Sequence, residues 1–381
     1  MFRDREPLQV QQAWFQTVIN KYKHCLVDVS AWEKEVVTGI LSSRVWVYQE
    51  RLLSSRNLHF GSRQLFWEWL DHEASEKFPK GIPQRVIDDR NVKSRVKVLM
   101  NGIDKCQSDI SFKGAQIWKD IVELYMKSNL TFETDRLVAI GGMANAAAQH
   151  IGGKYLAGVW EEDLLPGILW SARNYPSNLS KFTQALLEKY EFTAPSWSWA
   201  SFNAAIEFPP KNRRIEAIDQ FLEILETHVD LAIDNPFGKA CGGYIKLKGD
   251  IASTNSWREE LSGWYLNFES DFVRGGRQWG KILIHFHCDF RDMTEIEGQE
   301  VYLLPACRFP LRNGEWHVRG LVLFPTNRAR WEFRRCGMFQ YRHDKDHETM
   351  MSECSSFSRE QKIESLEFGL QDDGKFVIKI F

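Results

Sequence analysis

Ala194-Pro-Ser-Trp-Ser-Trp-Ala-Ser201 sets two tryptophans two residues apart, behind a proline and interleaved with serines. Pro195 fixes its own backbone angle and pushes Ala194 into an extended conformation. Continued extension would turn Ser196, Ser198 and Ala200 to one side and Trp197 and Trp199 to the other. Two indoles on one face bury about 150–250 Å² each. The stretch is therefore read as a clamp in a core or at a domain junction. An exposed partner or ligand surface is the alternative, and the exposure of the two rings decides between them. A nucleophilic serine is disfavoured, because there is no G-x-S-x-G elbow and no nearby His or acid at a triad position.

On either side of this stretch the hydrophobic period differs. Downstream, GYIKLKGD, KILIHFHC, VYLLPA, EWHVRGLVLFP and KFVIKIF alternate as strands do. Asn313-Gly314 and Asp373-Gly374 are hairpin-type turns before two of them. A helix-like insert over 213–224 interrupts the early part. Upstream, the spacing predicts helices over 9–27 (Val10, Trp14, Val18, Tyr22, Cys25), 45–53, 116–127, 134–151 and 178–190. Thr134 and Asp135 are the expected cap of the fourth. Leu137, Ile140, Ala144, Ala147 and Ile151 form its inward stripe. A hairpin is expected through Leu58, Phe60, Leu65 and Trp67, turning near Gly61-Ser62, and a polar surface excursion over 71–112. The fold expected is α+β, with a helical N-terminal half followed by a mainly antiparallel β C-terminal half.

Composition narrows the function classes. The chain has 381 residues, enough for two or three domains. A formal net charge of -2 argues against a broad electrostatic grip on nucleic acid or an anionic membrane. No apolar run approaches the ~20 residues of a membrane helix, and the N-terminus is polar. The seven cysteines are odd in number and never spaced as C-x-x-C, which fits reduced thiols in the cytoplasm. Fifteen tryptophans and 25 phenylalanines point to a packed aromatic interior.

Ordered blocks then carry a resemblance. They are Arg44-Val-Trp-Val-Tyr-Gln-Glu-Arg-Leu-Leu-Ser-Ser-Arg-Asn-Leu-His-Phe-Gly61, Gln64-Leu-Phe-Trp-Glu68, Leu130-Thr131 with Asp135-Arg-Leu-Val-Ala-Ile140, Tyr155-Leu-Ala-Gly-Val-Trp160 with Leu169-Trp170, and the stretch quoted first. Val318–Phe324 and Phe333–Phe339 add a weaker late match. The series resembles fungal heterokaryon-incompatibility (HET) domain proteins over roughly 32–340. The resemblance implies a remnant of the C-terminal end of a HET domain over 1–70, a helical region over 71–190 and a β-rich region over 191–381. The family's opening "SY-x-WG" and "ID-x-x-CI-x-Q" blocks have no counterpart, so its upstream α/β part, which is similar to TIR domains, is expected to be missing. Some TIR-like domains cleave NAD, but no NAD-cleaving residue is carried over. The implied role is a non-catalytic scaffold or interaction protein in fungal non-self recognition and cell-death signalling, without cofactor or metal. Its expected partner is another protein or an intact HET-family protein, not nucleic acid or membrane. The motif residues are Trp46, Gln49, Glu50, Arg56, Trp67, Glu68, Asp135, Trp160, Pro195, Ser196, Trp197 and Trp199.

Three other patterns are weighed. On the helix over 45–53, Trp46, Gln49 and Leu53 share a face, with Glu50 beside Trp46. The rival functional reading is an NAD-consuming or other hydrolase with a carboxylate pocket near Glu50 and Glu68. His285, His287, Cys288 and Asp289 are the most metal-like group, since alternate strand positions face one way, but no further ligands are specified. Gly152-Gly153-Lys154 lacks the spacing of a phosphate loop.

Overall fold

Strand pairing reaches into the half of the chain whose spacing reads as helical. A computed structural model of the protein describes residues 14–16, 23–25, 28, 30–39, 44–69, 72–83, 96, 107–128, 130, 132–172, 192–209, 219–254, 257–260, 263–268, 273–274, 277–278, 282–288, 301–310, 316–326, 328–343 and 369–381. Where the expected helix over 9–27 is described, it is two short strands. These are β1 (Trp14–Gln16) and β2 (Lys23–Cys25), paired antiparallel with Trp14 opposite Cys25. The expected helix over 178–190 lies outside the described residues. The expectation of a helical N-terminal half is thereby corrected: that half is mixed, and only the C-terminal half is dominated by one kind of element, a large sheet.

The chain divides into two units, Met1–Thr131 with Asn145–Ile151, and Phe132–Ala144 with Gly152–Phe381. In the first, a π-helical turn over Glu33–Val37 precedes helix α1 (Val45–Leu53). Strands β3 (Arg56–Phe60), β4 (Leu65–Trp69) and β5 (Glu73–Ser75) then form an antiparallel sheet in that order. The β3–β4 turn closes where Gly61-Ser62 predict it, with Gly61 N–H donating to the Gln64 carbonyl at 3.1 Å. The polar stretch 71–112 is not all loop, for it holds β5 and the start of helix α2 (Gln107–Tyr125). Val45, Tyr48 and Leu52 are the buried stripe of α1. Tyr48 donates its hydroxyl to the Ile121 carbonyl at 3.2 Å, and its ring lies 6.2 Å from that of Tyr125 on α2. Burial pushes the Tyr48 phenol well above its ordinary pKa.

The unit boundary passes through helix α3 (Arg136–Ile151), which follows a 3-10 turn over Glu133–Asp135. Asp135 occupies the cap position without accepting a side-chain hydrogen bond, so the expected cap is not made. The predicted inward stripe of α3 is buried throughout. Its small residues permit close approach, since a Cβ added at Gly141 would stand 2.5 Å from the Phe237 carbonyl oxygen.

The second unit continues with a tight hairpin, β6 (Tyr155–Leu156) and β7 (Val159–Trp160), and short helix α4 (Leu164–Ile168). β8 (Ser171–Ala172) pairs with β9 (Ile206–Glu207). Its main sheet takes β10 (Asp219–Gln220), β11 (Glu223–Leu231), β12 (Ala240–Gly249), β13 (Ala252–Thr254), β14 (Trp257–Glu260) and β15 (Gly263–Phe268). β16 (Val273–Arg274) and β17 (Arg277–Gln278) form a separate pair. β18 (Ile282–Cys288), β19 (Val301–Pro310), β20 (Trp316–Pro325), β21 (Glu332–His343), β22 (Gly369–Leu370) and β23 (Phe376–Ile380) complete the main sheet. The order is β10-β19-β20-β21-β18-β15-β14, and every pairing is antiparallel except β21 with β23. Of the expected helix-like insert over 213–224, the described residues 219–224 hold β10 and the start of β11, not helix.

β19 and β20 are buried almost without alternation, as interior strands covered on both faces are. Pro305, which cannot donate to a ladder, sits where the register with β20 breaks between Pro305 and Cys307. Cys241, Cys307 and Cys336 are free thiols, and burial pushes Cys307 up to about 11. Among the described residues no helix is long and apolar enough to cross a membrane.

Candidate functional site

Alternation along β4 puts Phe66 and Glu68 on the covered face of the three-stranded sheet, so a carboxylate goes inside with a phenyl ring. A buried charge persists only when paired and hydrogen-bonded. Glu68 is fully buried, and Arg51 of α1 meets both its oxygens, Nε to Oε2 at 2.9 Å and Nη2 to Oε1 at 2.8 Å. Asn57 Nδ2 and His59 Nε2 of β3 each lie 3.3 Å from Oε2. Asn57 also donates to the Arg51 carbonyl at 2.8 Å, and Arg51 Nη1 reaches the Val36 carbonyl at 3.3 Å. Burial alone would lower the pKa of Arg51, but the Glu68 bond and charge outweigh it and hold the guanidinium above its usual value. The Trp32 ring closes the cluster, edge-on to His59 at 6.4 Å and to Phe66 at 5.8 Å. The result is a pin joining the 33–37 turn, α1, β3 and β4. A carboxylate gripped on both oxygens is poorly placed to take a substrate proton.

The opposite face of the same sheet is apolar. Register places Leu58 across from Trp67 and Phe60 across from Leu65. Leu58 is 55% exposed and Phe60 76%, while Leu65, Trp67 and Trp69 are half-buried. Trp67 and Trp69 meet edge to face at 6.4 Å. The face is closed toward β5, where Ala74 is buried, and opens at β3, an edge strand among the described residues.

The tryptophan stretch lies within the second unit and is not a strand. Residues 199–201 form a 3-10 turn capped by Ser198, whose hydroxyl accepts from Ala200 N–H at 3.0 Å. Ser198 is as buried as both indoles, so the expected division into a serine side and a tryptophan side is corrected. Trp199 Nε1 donates to the Gly158 carbonyl at 2.7 Å, and Ser198 Oγ to that of Ala157. Trp170 Nε1 donates to the Trp197 carbonyl at 3.1 Å. Two buried arginines tie in the surroundings. Arg335 lies 3.5 Å above the Trp170 ring and donates to the Ile168 and Trp170 carbonyls. Arg136 donates to the carbonyls of Ala200 and Phe202 and, at 2.8 Å, to Asn203 Oδ1. Ser196 N–H donates to the carbonyl of Phe381, the last residue, at 3.0 Å, and its Oγ accepts from Arg335 N–H at 2.9 Å. The serine hydroxyls therefore serve backbone groups.

The remaining motif residues fall as follows. Trp46 is 46% exposed and Glu50 is exposed, so the expected Trp46–Gln49–Leu53 face of α1 is not the buried one. Gln49 is half-buried and Arg56 exposed on β3. The structure does not bring Glu50 and Glu68 into one environment, the first facing solvent and the second inside. Asp135 is half-buried, Pro195 is buried, and Trp160 is buried against Tyr155 at 5.0 Å. On β18 His285 pairs with Gln340 and His287 with Met338, while Asp289 lies outside the described residues. Among the described residues no group of three or more His, Cys, Asp or Glu could hold a metal ion. The sequence reading missed Arg51, Asn57, His59, Arg136 and Arg335. The parity that buries Phe66 and Glu68 together was the available signal, since a buried carboxylate demands a cation. No family model, no curated protein and no solved structure matches the chain.

Proposed function

We propose that the protein is a scaffold of the fungal heterokaryon-incompatibility kind, acting in the cytoplasm in non-self recognition and cell-death signalling by holding a protein partner rather than by catalysis. The observation that carries this reading is the state of the aromatic blocks. Trp197 and Trp199 are fully buried and the block's serines bond backbone, as architecture requires and a reaction centre does not. The Glu68 cluster supports the same reading, because it spends its polar groups on fixing a sheet. The outward face of that sheet is the partner surface. Leu58 and Phe60 stand exposed on an edge strand whose other side is pinned, a rigid apolar platform. An intact HET-family protein is the partner we assign to it.

The test is expression in a fungal cell, alone and beside an intact HET-family protein. Alone, the chain should neither lower NAD nor kill. With the partner it should co-purify, and Leu58→Glu with Phe60→Glu should abolish co-purification while leaving the thermal transition in place. Cell death or NAD loss from this chain alone would overturn the proposal.

A further inference from the structure

The turn between β20 and β21 is held in a costly conformation. Trp331 has φ +68, a left-handed angle that bulky residues rarely adopt. Its ring is 8% exposed and packs at 5.0 Å on Phe376, and its carbonyl accepts from Lys379 N–H at 2.9 Å. Its Nε1 is buried and meets no acceptor among the described residues. Strain and an unmet donor at one residue exceed what closing a turn demands, because turns ordinarily place Gly, Asn or Asp at such an angle. Beside this residue opens a cleft of about 530 Å³, walled by Tyr302, Arg328, Arg330, Trp331, Glu332 and Phe333. Arg330 lies 5.6 Å from the Trp331 ring, and neither arginine has a carboxylate partner among the described residues.

We propose that this cleft binds a small phosphorylated ring compound. Arg328 and Arg330 both line the cleft, and guanidinium groups suit a phosphate, which they engage with paired N–H donors. Tyr302 and Phe333, 5.0 Å apart edge to face, supply an aromatic wall for a flat ring. The volume lies within the range of small-molecule sites and exceeds what a bare anion fills. This inference is independent of the scaffold reading, since it concerns another unit and another surface.

The test is calorimetric titration of the full chain with adenosine monophosphate, adenosine and inorganic phosphate. The monophosphate should bind at least about tenfold more tightly than either component alone. Arg328→Ala with Arg330→Ala should weaken it by at least about tenfold, with the melting temperature lowered by no more than the loss of the exposed Arg330–Trp331 contact. Trp331→Gly removes the ring yet suits the left-handed angle, and it should also weaken binding. No heat from the monophosphate up to about 5 mM, or equal binding by the double arginine variant, would overturn the proposal.

Discussion

Glu68 illustrates what one buried charge imposes on its neighbours. Taking its carboxylate out of water is repaid through the bidentate Arg51 pair and the contacts from Asn57 and His59. Removing one partner strands the other. Glu68→Ala should therefore cost about 3–5 kcal/mol, read as a lower denaturant midpoint. Arg51→Met with Glu68→Leu should recover most of that loss, since an apolar pair of similar volume leaves no orphaned charge. A single variant as stable as the parent would show that the pair contributes nothing. Sequence reasoning reached Glu68 but not Arg51, and the reason is physical. The stripes Trp46–Gln49–Leu53 and Val45–Tyr48–Leu52 have the same spacing, one residue apart. On a nine-residue helix periodicity cannot choose between them. The choice is made by Tyr48 against Ile121 and Tyr125, contacts 70 or more residues distant in sequence.

Among elements, the β6–β7 hairpin shows how a tight turn and a buried indole depend on each other. Ala157 and Gly158 both take positive φ, +43 and +104, which turns their carbonyls toward Ser198 and Trp199. A Cβ on Gly158 would lie 2.7 Å from Trp199 Nε1, so Gly158→Ala meets strain and a clash together. Gly152, at φ +77, has nothing within 4 Å of its added Cβ, so Gly152→Ala meets strain alone. Gly158→Ala should cost more than about 3 kcal/mol and Gly152→Ala about 1–2 kcal/mol, measured by thermal unfolding. Equal losses would mean that the Trp199 contact does not constrain the turn. Burial of the tryptophans was legible from their size and spacing. Their backbone was not, because the Ser198 side chain captures Ala200 N–H and draws the chain into a 3-10 turn, a local bond that alternation arguments omit.

At the scale of the whole chain, the sheet of the second unit was readable, whereas in the first unit α1, the β3–β4 hairpin and part of α2 were readable and the short strands were not. Long strands such as β19 and β20 carry enough residues for pattern to outweigh noise. Strands of three residues such as β1, β2 and β5 do not, and their pairing depends on partners that no local window contains. The division into two units makes the final prediction. Glu68 with Arg51, Asn57 and His59 lies in the first unit, and Trp199 with Gly158 in the second. Changes in separately cooperative blocks act additively, and opening occurs in contiguous blocks of this kind. Native-state hydrogen exchange should therefore separate them. Glu68→Ala should speed exchange of the amides of α1, β3 and β4 and leave those of β19 and β20 unchanged. Trp199→Ala, which empties a fully buried indole site, should speed exchange at β6, β7, β19 and β20 and spare β3 and β4. The double variant should show the sum of the two losses to within about 0.5 kcal/mol. If Glu68→Ala instead accelerates β19 and β20 as much as β3 and β4, the chain opens as one cooperative block.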